Sequence, residues 1–221
     1  VTHSLSYTFS STGIHTVKFS VETLISLFSG ADTLTSVDFS ECDGAKYTSA
    51  SCLFQSCPAL TTINWGECVF PNVTDISSLI RNGNLETVDL SPFREAPITD
   101  ISYICFGCKK LKHIDFGVLQ NAVIEQISSA FRNCEVITSI DLSKLQFGSV
   151  SSLSSVFYGC KFLLSIDWGD NTFSSCTNIN SLFYNCESLT SIDLSLLEGS
   201  KISGTSLSNA FFGCKSLTSL D

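Results

Sequence analysis

Apolar residues in this chain fall on a fixed grid. The pattern Phe-x-x-Cys-x-x-Leu-x-x-Ile-Asp-aromatic/Leu returns eight times along 221 residues, and its acidic position lies at Asp38, Asn64, Asp89, Asp115, Asp141, Asp167, Asp193 and Asp221. The steps are 26, 25, 26, 26, 26, 26 and 28 residues. One unit of this length cannot bury its own apolar face, so stability has to come from stacking neighbouring units.

Each copy contains Leu-x-x-Ile-x-Leu or a close variant, as in Leu111, Ile114 and Phe116, or Leu163, Ile166 and Trp168. Residues two apart share one face of a strand. The Ile and the following Leu or aromatic therefore point inward, and the Asp between them points outward. Further along each copy the apolar residues step by three and four, as in Val73, Ile76 and Ile80 or Ile124, Ile127 and Phe131. That spacing predicts one stripe of a short helix or a pair of tight turns.

The strand motif followed by an Asn or Cys position resembles a leucine-rich repeat. More narrowly, residues 181–195, Ser-Leu-Phe-Tyr-Asn-Cys-Glu-Ser-Leu-Thr-Ser-Ile-Asp-Leu-Ser, resemble the BspA-like leucine-rich repeat of microbial surface proteins. The resemblance covers residues 24–221; the third copy is shorter by one residue at Gly83, and the first has Ala31 where Cys is expected. The expected fold is an α/β repeat, a leucine-rich-repeat solenoid of about eight 26-residue units. One parallel sheet would form one face, with short helical or turn segments opposite. Residues 1–23 are expected to be a degenerate first repeat or amino-terminal cap. Residues 24–221 form the array, which ends in mid-strand and is expected to continue or stack beyond residue 221.

Charge narrows the partners. Twelve basic against 21 acidic residues give a net charge of −9, and the basic residues are scattered, which argues against nucleic acid and anionic membrane surfaces. No apolar run is long enough to span a membrane, and the first 20 residues lack the features of a signal peptide. Met is absent, which suggests a processed chain or an excised fragment.

The 11 cysteines need to be read by register. Cys57, Cys108, Cys134, Cys160, Cys186 and Cys214 share one position and are expected to form a ladder of buried free thiols bonded weakly to the backbone. Cys105-Phe-Gly-Cys108 has the Cys-x-x-Cys spacing of redox and zinc sites. Register explains it as a ladder Cys108 and a Cys105 filling the slot of Phe131 and Phe157. Cys42 and Cys68 lie one repeat apart, 26 residues, and could form a disulfide on neighbouring copies.

Seven Asp and one Asn project at intervals of about 4.8 Å, so like charges should repel and raise one another's pKa. One reading is that solvent and neighbouring hydroxyls absorb the repulsion. The other is capture of a cation such as Ca²⁺ by Asp89, Asp115, Asp141 and Asp167, or of a basic partner. The sequence requires no cofactor, Ca²⁺ being the single candidate. Beside the Asp column run two polar columns whose consensus breaks in the middle, at Glu86, Lys112, His113 and Asp115. With Asp141 these are the candidate ligand-binding residues. Asn72-Val-Thr74 is a glycosylation sequon.

No nucleophile, base and orienting residue can be assembled by register, so an enzyme is not expected. The resemblance implies a non-enzymatic adhesion module, extracellular or at the cell surface, that binds extracellular or host proteins through its sheet face. The alternative is a structural protein that associates with itself end to end into filaments or surface layers.

Overall fold

The computed structural model describes residues 23–120 and 122–220. The expected cap over residues 1–23 and the last Asp of the column, Asp221, fall outside them, except for Thr23. The eight strand motifs form β1 (Ser36–Asp38), β2 (Thr62–Asn64), β3 (Thr87–Val88), β4 (His113–Ile114), β5 (Ser139–Asp141), β6 (Ser165–Asp167), β7 (Ser191–Ile192) and β8 (Ser219–Leu220). All pairing is parallel and in the register of the repeat, with Val37 opposite Ile63 and Ile140 opposite Ile166.

One continuous sheet was expected, and the structure corrects this: the strands form four separate pairs, β1–β2, β3–β4, β5–β6 and β7–β8. The residues after each Asp follow the same two-copy rhythm. Leu90-Ser91, Leu142-Ser143 and Leu194-Ser195 alternate with Trp65-Gly66, Phe116-Gly117 and Trp168-Gly169, and Phe39-Ser40 opens the series. Gly66 and Gly169 have φ of +54° and +59°, and a Cβ on them would meet the Cα of Ser40 and Ser143 at 2.7 and 3.0 Å. Glycine therefore lets the second copy of each of these pairs close onto the first. There the pairing extends one bond further, through Phe39 N–H to Asn64 O and Leu142 N–H to Asp167 O, each 2.7 Å.

The opposite face is also a correction to the helical alternative, because among the described residues the regular helices are short 3₁₀ turns only, such as Ser91–Phe93 and Gly117–Leu119. The steps of three and four belong to tight turns, in which Leu53 N–H bonds Ala50 O and Gln55 N–H bonds Cys52 O. Alternate amides reach the next copy instead. Ala50, Cys52, Phe54 and Ser56 donate to the carbonyls of Asp75, Ser77, Leu79 and Arg81 at 2.6–2.9 Å. Bonded copies lie about 4.8 Å apart, whereas packed α-helices need about 8–10 Å. Turns satisfy the spacing that helices would violate.

Between the two faces the core is continuous. Phe131, Phe157 and Phe183 stack with ring centroids 5.7 and 5.6 Å apart, and Trp168 meets Phe157 edge-on at 5.7 Å. Phe157 is fully buried within this column. Phe157→Ala is therefore expected to lower the unfolding free energy by about 3–5 kcal/mol in chemical denaturation. A loss below about 1 kcal/mol would mean that the ring does not occupy the core.

Candidate functional site

Each outward Asp among the described residues sits at the end of its strand, and its carboxylate turns back on the chain. Oδ1 of Asp38, Asp89, Asp115, Asp141, Asp167 and Asp193 accepts the backbone N–H two residues on, from Ser40, Ser91, Gly117, Ser143, Gly169 and Ser195, at 2.7–2.9 Å. Asn64 does the same with Gly66 at 3.1 Å. These are Asx turns, and Asp-x-Ser/Gly is their sequence signal. Repulsion was expected to raise the carboxyl pKa values, but those of Asp38, Asp141 and Asp193 are lowered by the following Ser, first through its hydroxyl and then through its N–H. Hydrogen bonding to the charged form outweighs repulsion between solvated neighbours.

A depressed folded pKa contributes stability above the unfolded value, about 3.9, and that contribution is lost as pH falls through the folded value. Asp141→Asn keeps a neutral acceptor but not the charge, so it is expected to lose that contribution at neutral pH and to show a flatter fall of stability in acid. Asp141→Ala loses the turn bond at all pH values, at about 0.5–1.5 kcal/mol. Denaturation curves from neutral pH down to acid separate the two.

The candidate cation set, Asp89, Asp115, Asp141 and Asp167, lies exposed along the column, one residue per copy. Among the described residues no group of three or more His, Cys, Asp or Glu is arranged to hold a metal. Of the central positions, Glu86 and Lys112 are brought together. Lys112 Nζ lies 2.8 Å from Glu86 Oε2, and this bond lowers the Glu86 pKa. His113 faces Thr87 across the β3–β4 ladder, and His113 and Asp115 both face solvent. Elsewhere in the flanking columns, hydroxyls such as Thr61 and Thr218 bond back to Thr35 O and Thr190 O at 3.2 Å.

The ladder cysteines take one geometry. Cys57, Cys108, Cys134, Cys160, Cys186 and Cys214 each donate Sγ–H to a carbonyl of the preceding copy at 3.0–3.1 Å: Phe28, Ile80, Cys105, Phe131, Phe157 and Phe183 in turn. Burial raises the thiol pKa of Cys57, Cys134, Cys160, Cys186 and Cys214 and holds these groups protonated. Cys105 occupies the Phe slot and is buried likewise.

Cys42 and Cys68 are free thiols joined by a side-chain hydrogen bond; burial, then the neighbouring Cys42, pushes Cys68 up to about 12. Exposure to oxidised glutathione, followed by peptide mass mapping, is expected to find these two linked before any ladder cysteine. Asn72 is exposed on its loop, and its Nδ2 donates to Ala45 O at 2.6 Å, a bond that a glycan would have to displace.

Two columns were not anticipated, although both recur at the repeat step. One position after the ladder, Lys109, Glu135 and Lys161 are joined by contacts of 3.4 and 2.7 Å, and Glu187 and Lys215 by one of 2.8 Å. Alternating sign favours the native register and penalises a slip by one copy. On the turn face Arg81, Phe106, Arg132, Tyr158, Tyr184 and Phe212 stack in order, with successive separations of 4.7, 5.7, 4.0, 4.4 and 4.9 Å.

At two of the interruptions between strand pairs the face opens. A cleft of about 180 Å³ lies between β2 and β3, over Trp65. A larger one, about 610 Å³, lies between β6 and β7, over Trp168.

The model of the BspA type leucine rich repeat region matches this chain in 6 copies, over residues 4–117, 52–161 and 99–221. Comparison with curated proteins gives no match. Among solved structures, a leucine rich cell surface protein from Faecalibacterium prausnitzii is similar at 17% identity and a TM-score of 0.44, over 89% of this chain and 62% of that one. An internalin from Listeria monocytogenes is similar at 17% identity and a TM-score of 0.30, over 86% of this chain and 61% of that one. The chain thus spans less than two thirds of either structure.

Proposed function

The chain belongs to the BspA type leucine-rich repeat family, and from that premise we propose that it is a non-enzymatic module that binds other proteins at a cell surface through the exposed face of its strands. The observation that carries this reading is the division of labour on that face. Backbone groups and Asp carboxylates are used inside the structure, whereas side chains such as Thr35, Thr87, His113, Thr138 and Ser165 present a broad polar surface. Such a surface suits contact with a folded protein, because its backbone is already ordered and little conformational entropy is lost on binding.

The acidic net charge favours partners with basic surfaces and disfavours polyanions. Among the described residues, no helix is long and apolar enough to cross a membrane. The centre of the contact is assigned to Glu86, Lys112, His113 and Asp115, with Asp141 beside them. Here the repeated Thr and Ser give way to charged and aromatic nitrogen groups that can discriminate between partners.

An array of immobilised extracellular matrix proteins tests the reading. The wild-type chain is expected to bind at least one of them saturably, with weaker binding at high salt. Lys112→Glu is expected to reduce that affinity about fivefold or more without altering the circular dichroism spectrum. Binding insensitive to substitutions across this face would overturn the proposal.

A further inference from the structure

The larger cleft is built by the fold. Neighbouring strands within a pair are laddered along their length, but β6 and β7 carry no ladder between them. They are tied at one end by Ser188 N–H to Lys161 O, 3.0 Å, and at the other by Phe173 N–H to Leu196 O, 2.7 Å. Between these ties the cleft of about 610 Å³ opens onto the exposed face. Its volume falls within the range of about 300–1,000 Å³ that accommodates ligands.

Its walls differ from the rest of the face. Trp168, Phe183 and Leu189 contribute apolar surface from the core side. Leu164 stands at the rim and is 56% exposed, in a column otherwise occupied by Thr, Glu and Lys. Asp167, Asp170 and Asp193 also line the cleft, and no basic residue does. One oxygen of Asp167 is engaged by its own turn, leaving the other for a partner, and Asp193 is held by the N–H and the hydroxyl of Ser195.

This combination selects its occupant. The two hydrogen-bonded ties close the ends of the gap, so a complete strand cannot insert between β6 and β7 without breaking them. A loop tip can enter. An arginine side chain brings an apolar stem for the Trp168 and Leu164 side, and a planar guanidinium with five donors for carboxylates and for the carbonyls of an unladdered strand edge. An acidic loop would meet three carboxylates, and a purely apolar one would leave them desolvated without partners.

We infer that the β6–β7 cleft is a docking site for a partner loop that presents arginine beside an aliphatic residue. The inference rests on the reading of this face as a protein-binding surface and gives it a specific anchor, away from the central Lys112.

The two tryptophans make the test direct, since Trp65 lines the smaller cleft and Trp168 the larger. In a Trp65→Phe background, a slot that holds Phe39 and Phe116 in other copies, the emission reports on Trp168 alone. The full chain is titrated with acetyl-Gly-Leu-Arg-Leu-Gly-amide and with the same peptide carrying Glu for Arg. The arginine peptide is expected to give a saturable change, and the glutamate peptide none. Asp167→Asn with Asp193→Asn keeps both turn acceptors and removes the charge, and is expected to weaken binding about fivefold or more, as is Leu164→Lys. Lys112→Glu is expected to leave it within about twofold.

Equal responses to both peptides, or none to either, would overturn the cleft as the site, and the matrix-protein measurement then judges the face by itself. A response that survives the paired Asn substitutions and is lost in Lys112→Glu would also overturn the cleft, by moving the peptide to the central face, whose binding role would stand.

Discussion

The structure depends on one recurring interaction, the hydrogen bond from a backbone amide to a carbonyl about one repeat away. It operates on both faces: in the strand ladders, and in the turns where Ala50, Cys52, Phe54 and Ser56 donate to the next copy. Because the bond fixes the separation of copies at both faces, the core is compressed into columns of identical side chains. Phe131, Phe157 and Phe183 stack at 5.6–5.7 Å as a result. The ladder cysteines fit the same constraint, since a thiol is small enough to lie beside the backbone and can donate to a carbonyl of the copy before it. A larger or charged group there would separate the copies or be left buried without a partner.

Local chemistry decides where the ladder is kept. A strand must end before the chain can turn across the top of the repeat, and the Asp carboxylate ends it by accepting the amide two residues on. The column that looks from the sequence like a row of repelling charges is thus a row of turn-forming groups. The residue supplying that amide alternates between Ser and Gly. Where Gly66 and Gly169 lack a Cβ, the second copy closes onto the first, and the strands pair over three residues. The same alternation leaves the next boundary open, and the clefts over Trp65 and Trp168 lie at two such boundaries.

The exposed face is consequently uneven. Charge is concentrated at Glu86 and Lys112 near its middle, and an apolar rim with three carboxylates surrounds the opening between β6 and β7. Discrimination between partners arises where a regular array departs from regularity, because a uniform row of Thr and Ser offers every partner the same contacts at each register. The charged columns on the flank, Lys109 to Lys161 and Glu187 to Lys215, serve the opposite purpose and hold the copies in one alignment.

The sequence by itself determined the repeat length, the inward and outward positions of each strand, the cysteine ladder and the family. These follow from periodicity, which records what every copy must satisfy in order to bury its neighbour's face. The Asx turns and the Leu-Ser, aromatic-Gly alternation were also written in the sequence, as Asp-x-Ser/Gly and as a two-copy rhythm, but a search for one-copy similarity averages them away. Only the tertiary structure decided that the apolar steps of three and four would become turns, since that choice depends on the spacing between copies rather than on any one of them. It alone also decided that the strands would part between β6 and β7, because the parting depends on where two neighbouring copies can no longer make the same bond.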